Sequence, residues 1–170
     1  MRFVYSLAAL APAIAPAIAA LSAAALFGPP HIVVTAVSPA PAVIGAPAFN
    51  IEVEHHTTAD QIKLTGRAEG VRGGQRVTLP LALVRRDSAH FTVVRQWEAN
   101  TPWVLVFSVE QGPEGAHGVV EAVIPIDKSG AVRRIEYTKP GFHDGSKLPR
   151  RVTRARVDSA LKELGVDRQE

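Results

Sequence analysis

The chain has 170 residues and a mass of 18.1 kDa, and its 19 Lys and Arg against 16 Asp and Glu give a formal net charge of +3. This length allows one domain with a substantial core and leaves little room for a second. The absence of cysteine excludes a disulfide scaffold, a cysteine metal site, a cysteine nucleophile and a lipid-modified N-terminal cysteine.

The N-terminal segment is an uncharged, alanine-rich apolar run. The first charged residue is Arg2 and the next is Glu52. A short positive start, an apolar stretch and small residues near its end are typical of a secretory signal peptide. We therefore predict that residues 1–25 are a signal peptide and that the protein is exported, to the periplasm or the extracellular space. The alternative is an uncleaved anchor, through which the protein would contact the membrane.

Residues 26–48 are predicted to be a spacer in front of the folded domain. Residues 36–48 consist mainly of proline and alanine and carry no charge, and such segments favour an extended, semi-rigid backbone. The β-branched residues between His31 and Val37 predict a short first strand within this region.

Residues 49–137 alternate between apolar and polar side chains, which predicts short strands with one buried face. The apolar positions of the successive strands are Phe49, Ile51 and Val53; Ile62 and Leu64; Val77, Leu79, Leu81 and Leu83; Phe91, Val93 and Trp97; Trp103, Leu105 and Phe107; and Val120, Ala122, Ile124 and Ile126. A last strand is expected over residues 132–137. Pro80 cannot donate to a strand ladder, so its strand is predicted to lie at a sheet edge or to contain a bulge.

Turn-forming residues separate these strands. Glycine, asparagine, aspartate, serine and proline cluster at residues 69–75, 87–89, 98–102, 111–118 and 127–130. The five-residue loop at 98–102 lies between two strongly apolar strands, and this arrangement predicts a β-hairpin.

The spacing of about ten residues between strands, with no helical period among them, predicts a mainly β fold: a single antiparallel β-sandwich of about seven strands over residues 49–137. The segments LTGRAEG, VTLPLAL, HFTVVRQW and PWVLVFSV resemble the strands of an immunoglobulin-like or prealbumin-like sandwich. The resemblance implies that fold and an interaction role. It carries no family-specific functional residue.

The C-terminal residues 138–170 differ in character from the sandwich. Residues 138–150 are predicted to be a loop. Val157, Leu161 and Leu164 recur at helical spacing, and Gly165 is a natural stop, so a short amphipathic helix is expected over residues 151–164. This helix either packs on the sandwich or lies unpacked near the end of the sandwich.

Basic residues dominate the start of this C-terminal region. Between Arg133 and Arg156 the sequence has eight Lys and Arg against two acidic residues, a local charge of +6. Such a run attracts an acidic partner protein or an anionic surface of the cell envelope. Nucleic acid is not expected as a partner, because the chain is predicted to be exported and aromatic residues are not interleaved. The predicted contact residues are Arg133, Arg134, Arg150, Arg151, Arg154 and Arg156; the alternative is a solvated charged face.

Two aromatic residues and two histidines suggest other kinds of site. Trp97 and Trp103 could form an exposed platform for a sugar or a partner side chain, although their alternation with apolar neighbours favours burial. His55 and His56 could bind copper or zinc in the periplasm. Neighbouring side chains on a strand point to opposite faces and no tight ligand spacing is present, so solvated histidines are the alternative. No other cofactor is predicted.

Catalytic constellations are weak in this sequence. Asp87, Ser88 and His90 are the residue types of a hydrolytic triad, but triad members normally meet from distant segments, and these residues are typical of a turn. Glu52 and Glu54 alternate with apolar neighbours and are expected to be solvated. We therefore predict a non-enzymatic binding or interaction module of the cell envelope, acting through sandwich-end loops and the basic C-terminal region. A periplasmic metal-binding protein and a carbohydrate-binding sandwich are the alternatives.

Overall fold

The structure is a computed structural model that describes residues 30–38, 43–54, 62–112, 118–138 and 151–166. The predicted signal peptide, His55, His56 and Arg150 lie outside the described residues. In the described ranges the fold is mainly β, with two antiparallel sheets and a C-terminal helix, as the sequence predicted.

The four-stranded sheet, called the front sheet, has the strand order β1-β2-β6-β5 and consists of β1 His31–Ala36, β2 Pro47–Glu54, β5 Leu83–Arg85 and β6 His90–Val94. The five-stranded sheet, called the back sheet, has the order β4-β3-β7-β8-β9 and consists of β3 Ile62–Arg72, β4 Gln75–Pro80, β7 Trp103–Gln111, β8 Gly118–Ile126 and β9 Glu136–Tyr137. Neighbouring strands are antiparallel throughout both sheets.

The main core lies between the two sheets. From Phe49 onward β2 buries every second residue, as the period-two pattern predicted, and the inner faces of the two sheets meet as a layer of aliphatic and aromatic side chains. The Phe49 ring of the front sheet lies 6.1 Å from the Phe107 ring of the back sheet, at an interplanar angle of 62°. This edge-on contact joins the two sheets near the centre of the core.

The predicted hairpin at residues 98–102 is wrong. β6 belongs to the front sheet and β7 to the back sheet, so this loop crosses from one sheet to the other. Trp97 and Trp103 are buried in the core at either end of the crossing, with 3% and 1% of their surface exposed. The Trp103 indole N–H donates to the Glu98 carbonyl at 3.2 Å. The apolar alternation marked the inner face correctly, but it does not identify which strand lies alongside.

A second crossing divides the strand that was predicted around Pro80. β4 ends at Pro80, the Leu81 N–H donates to the Gly66 carbonyl at 2.9 Å, and β5 begins in the other sheet. The prediction of an edge strand is confirmed, because β4 is the first strand of the back sheet. The predicted turn at 69–75 is shorter than expected: β3 continues to Arg72, and the turn consists of Gly73 and Gly74.

The final predicted strand is also shorter than expected. Within residues 132–137 Val132 forms an isolated bridge with Ile126, and two residues of β9 pair with β8. The turn before it is confirmed. The Asp127 carboxylate accepts hydrogen bonds from the Ser129 and Ala131 N–H groups at 2.8 and 3.1 Å, which closes the connection between Ile126 and Val132.

The C-terminal helix, α1, spans Arg154–Glu163. It begins three residues later than predicted because Thr153 caps it: the Thr153 hydroxyl accepts from the Arg156 N–H at 3.2 Å. It ends where predicted, in a Schellman motif in which Gly165 has a φ of +78° and the Val166 N–H donates to the Leu161 carbonyl at 3.0 Å.

α1 packs on the outer face of the back sheet. Three of its side chains are buried against outward-facing valines of the central strands, forming a second, smaller core of Val104, Val106, Val123, Val157, Ala160 and Leu161. Of the two alternatives for this helix, the structure therefore has the packed one. The molecule has three layers: the front sheet, the back sheet and the helix.

An ion-pair network joins the helix to the edge of the back sheet. Glu69 is buried and accepts hydrogen bonds from Arg67 at 2.8 Å and Arg76 at 2.9 Å, and Arg76 also donates to Asp158 on α1. Burial alone would raise the pKa of Glu69, but the hydrogen bonds and charges of the two arginines outweigh it, so this pKa lies below its ordinary value. Arg76 therefore links the sheet and the helix through two carboxylates.

The substitution Arg76→Gln should lower the free energy of unfolding by about 1–2 kcal/mol, because it removes charge-assisted hydrogen bonds at a largely buried position. The matched control is Arg72→Gln, which removes the exposed ion pair of Arg72 with Glu98 and should cost less than about 1 kcal/mol. Urea unfolding of both variants measures the difference. Equal losses would contradict a role for Arg76 in holding the helix.

The substitution Gly70→Ala should destabilise the sandwich. A Cβ atom at Gly70 would lie 2.7 Å from Cε3 of the Trp103 ring, and this ring is packed in the core with 1% of its surface exposed. Overpacking of this kind costs about 1–3 kcal/mol. Urea unfolding should show this loss for Gly70→Ala and little change for Ser159→Ala on the exposed side of α1; an unchanged Gly70→Ala variant would refute the close packing.

Candidate functional site

The outer face of the front sheet is the candidate site, because no described element covers it. In the back sheet, α1 covers the outer face of β7 and β8. On β1, β2 and β6 the residues between the buried positions point outward. They line a shallow groove of about 170 Å³, called the front groove, whose polar residues are Thr35, Asn50, Glu52, Arg86, His90 and Thr92.

Strand register brings these residues together in two rows across the sheet. Glu52 on β2 is opposite His90 on β6. Asn50 lies between Thr35 on β1 and Thr92 on β6. Side chains directly opposite each other on one face are close enough to interact, so three strands contribute to one polar surface.

Hydrogen bonds hold the charged side chains of the groove in place. Nδ1 of His90 lies 2.9 Å from Oδ1 of Asp87, and Nε2 lies 3.7 Å from Oε1 of Glu52. On the other side of the groove Nε of Arg86 donates to the Thr92 hydroxyl at 3.1 Å. The groove therefore has an anionic wall at Glu52 and a cationic wall at Arg86, with His90 and Thr92 between them.

Asp87 closes the turn beside the groove. Its Oδ1 accepts hydrogen bonds from the Ala89 and His90 N–H groups, each at 2.9 Å, in addition to the His90 ring. The backbone hydrogen bond from Ala89, then that from His90, then the His90 ring hold the pKa of Asp87 at about 2. This geometry confirms the turn predicted at residues 87–89, and the Asp87–His90 contact acts as part of that turn.

The charges on this face are predominantly acidic. The Glu52 and Glu54 carboxylates are exposed, as their alternation predicted, and Asp87 adds a third exposed carboxylate beside the single guanidinium of Arg86. Nδ1 of His31 lies 3.7 Å from Oε2 of Glu54. Three carboxylates against one guanidinium leave an excess of negative charge on the outer face of the front sheet.

Four of the five described arginines of the predicted basic surface bind carboxylates of the same molecule. Arg133 pairs with Asp127 at 2.9 Å and Arg151 with Glu110 at 2.8 Å. Arg134 pairs with Glu136 and Glu163, and Arg156 pairs with the same two glutamates.

These pairs reduce the local charge, because Glu110, Asp127 and Glu163 lie outside the segment that was counted. The Glu110 pKa is lowered chiefly by the hydrogen bond from Arg151. Arg154 is exposed and has no ion pair with any described residue. The prediction that this region contacts a partner remains a prediction, and most of its described arginines also stabilise the fold.

The two tryptophans do not form the exposed platform that a carbohydrate site would need. Both rings are enclosed by the core, and Trp97 lies 6.1 Å from the ring of Phe49. Burial follows from their position at a crossing between the sheets, where large side chains fill the end of the core. The hypothesis of a partner or sugar site at Trp97 and Trp103 is therefore corrected.

The metal hypothesis falls on residues outside the described ranges. Neither His55 nor His56 is described, and the copper or zinc prediction stays untested. Among the described residues no group of three histidine, aspartate or glutamate side chains is placed to hold a metal ion. No helix in the described part of the chain is both long and apolar enough to cross a membrane.

The groove was not predicted from the sequence. The sequence joined Asp87 and His90 only as residue types of a triad and treated Glu52 with Glu54, and it gave no signal for Thr35, Asn50, Arg86 and Thr92. The alternation of residues along β2 and β6 does indicate which side chains point outward. It does not show that Glu52 lies opposite His90, because these residues are 38 positions apart in the sequence and meet only through the pairing of the two strands.

Comparisons with known proteins give no functional assignment. No protein-family model matches the chain, no curated protein matches it, and no solved structure matches it.

The pH dependence of stability tests the bonding of Asp87. Because its folded pKa is lowered to about 2, its contribution is present above the unfolded pKa near 3.9 and is lost as the pH falls towards 2. The variant Asp87→Asn should therefore be less stable than the parent between pH 5 and 7, and the difference should vanish near pH 2. Urea unfolding across this range measures it.

The control for this experiment is Ser88→Ala, which changes the same turn and leaves the Asp87 carboxylate in place. Its stability should follow the parent at every pH. A constant difference between Asp87→Asn and the parent across the range would show that the ionised carboxylate does not stabilise the turn.

Proposed function

We propose that this protein is a non-enzymatic binding module that recognises a protein partner through the outer face of the front sheet. The observation that carries the proposal is the asymmetry of the molecule: α1 covers the outer face of the strands β7 and β8 in the back sheet, while no described element covers the outer face of the front sheet, which has a groove. Recognition surfaces commonly sit on a rigid β scaffold.

The chemistry of this face favours a basic partner surface. Three exposed carboxylates, Glu52, Glu54 and Asp87, outnumber the guanidinium of Arg86. Complementary charge raises the rate of encounter and selects among partners. Asn50 and Thr35 add neutral donors and acceptors for a partner backbone or side chain. The partner is accordingly a protein with clustered lysine or arginine rather than an anionic polymer.

We further propose that the protein is exported and that its sandwich is of the immunoglobulin-like or prealbumin-like type. Export is supported by the layout of residues 1–25, which has one basic residue before an apolar run. The fold type is supported by the two facing antiparallel sheets and by crossings between them.

Site-specific crosslinking in the cells that produce the protein tests this function. A photoreactive amino acid replaces Asn50, which lies exposed at the centre of the front face. The matched control replaces Ser159, which is exposed on α1. We expect a discrete adduct with one protein from position 50 and none from position 159.

Reversing the charge of the front face tests whether its carboxylates attract the partner. The double variant Glu52→Lys and Glu54→Lys, combined with the photoreactive group at Asn50, should lose most of the adduct because it reverses the charge of the face. Circular dichroism verifies that this variant folds. Absence of any adduct from position 50, equal labelling from position 159, or an adduct that survives the charge reversal would refute the proposal.

A further inference from the structure

The two sheets present four edge strands in the described part of the chain, and three of them are short or capped. β5 has three residues and β9 has two. β1 is longer, but the Val34 N–H on its outer edge donates to the Tyr137 hydroxyl at 3.1 Å. Proteins shorten or cover edge strands because exposed N–H and C=O groups pair readily with other strands. β4, with six residues, is the edge that remains.

The turn after β3 shows which backbone groups of β4 face outward. Gly73 and Gly74 both have positive φ, +56° and +78°, which is the geometry of a type I′ two-residue hairpin. In such a hairpin the flanking residues, Arg72 and Gln75, form a hydrogen-bonded pair. Hydrogen bonding to β3 then alternates along the strand, so Arg76, Thr78 and Pro80 direct their backbone groups away from the sheet.

These outward groups have no hydrogen-bond partner among the described residues. Pro80 has no N–H to offer, so the free donors on this edge are the N–H groups of Arg76 and Thr78. Between them Val77 points inward and is half-buried against the core, as is Leu79. The edge therefore combines free backbone donors and acceptors with apolar side chains that are not fully covered.

We propose that β4 pairs with β4 of a second copy of this chain, in antiparallel register about a two-fold axis at Val77. In this register Arg76 lies opposite Thr78 of the second copy, and the reciprocal pair is formed by symmetry. Four backbone hydrogen bonds join the two strands. Pro80 lies opposite Gly74 of the second copy, beyond these bonds, so its missing N–H leaves the pairing intact.

The strand is complementary to itself in this register. The two Val77 residues form the close, non-hydrogen-bonded pair at the axis, where β-branched side chains pack well and cover both cores. Arg76 lies beside a threonine rather than beside another arginine, and it keeps its own carboxylate partners Glu69 and Asp158. No like charges are placed directly opposite each other.

The contact is small and should be reversible. One added strand pair buries less surface than a standard stable interface, so we expect a monomer–dimer equilibrium that depends on concentration. The shared edge lies away from the front groove, and this inference does not depend on the proposed partner-binding function.

Sedimentation of the purified protein over a range of concentrations is the first measurement. The parent should show a dimer at high concentration. Thr78→Pro removes one outward N–H in each copy, and two of the four hydrogen bonds, without touching the bonds to β3. It should weaken dimerisation on the order of tenfold to a hundredfold. Thr78→Val keeps the N–H and should dimerise like the parent.

Disulfide formation measures the register independently. The chain has no native cysteine, so one introduced cysteine gives an unambiguous result. In a non-hydrogen-bonded pair the Cα atoms lie about 4.5 Å apart, within the range that a disulfide bridges. Val77→Cys should therefore form a covalent dimer on mild oxidation. Leu79→Cys, on the same face, should not, because the two positions would lie more than about 13 Å apart.

Three outcomes would overturn the inference. The first is a parent protein that stays monomeric at every concentration. The second is a dimer that Thr78→Pro leaves unchanged while circular dichroism shows the variant folded. The third is crosslinking of Leu79→Cys as rapid as that of Val77→Cys. The cysteine pair keeps the test decisive even where the proline variant fails to fold.

Discussion

The fold depends on the burial of the two central strands on both faces. Nearly every residue of β7 and β8 is buried: one face packs against the front sheet and the other lies under α1. A sheet of this kind cannot leave its outer valines in water, so the helix is part of the folding unit. Burying both faces of these strands also lowers the stability of the fold at two polar side chains. The Ser108 hydroxyl and the Gln111 amide have no hydrogen-bond partner among the described residues, and each such group reduces the free energy of unfolding by about 1–3 kcal/mol.

The same constraint gives the molecule two different sides. Carboxylates from three parts of the chain are drawn to the helix side, where they neutralise the arginines around α1 and hold it on the sheet. The exposed carboxylates on the outer face of the front sheet contact histidines rather than arginines. Most of the described arginines near the C terminus are thus paired within the molecule, while the outer face of the front sheet has an excess of negative charge.

The sequence correctly predicted those features of the fold that depend on neighbouring residues. The alternation of Phe49, Ile51 and Val53 identified the inner face of β2, and Gly165 identified the end of α1, because burial parity and capping depend on neighbouring residues. The sheet to which a strand belongs depends on contacts across the whole chain. For this reason the sequence placed Trp97 and Trp103 correctly on the inner face of their strands but wrongly predicted that these two strands pair with each other. The front groove was not predicted because it depends on the register between β2 and β6.

The bond between Val34 and Tyr137 has a consequence for how the chain reaches this structure. These residues are 103 positions apart, so the first strand to be synthesised receives its last contact only when the end of the sandwich has emerged. Contacts of such long sequence separation slow folding, because the entropy of closing the chain is lost before the contact forms. Until then the outer edge of β1 is open, and a newly made chain needs protection there that the folded protein does not.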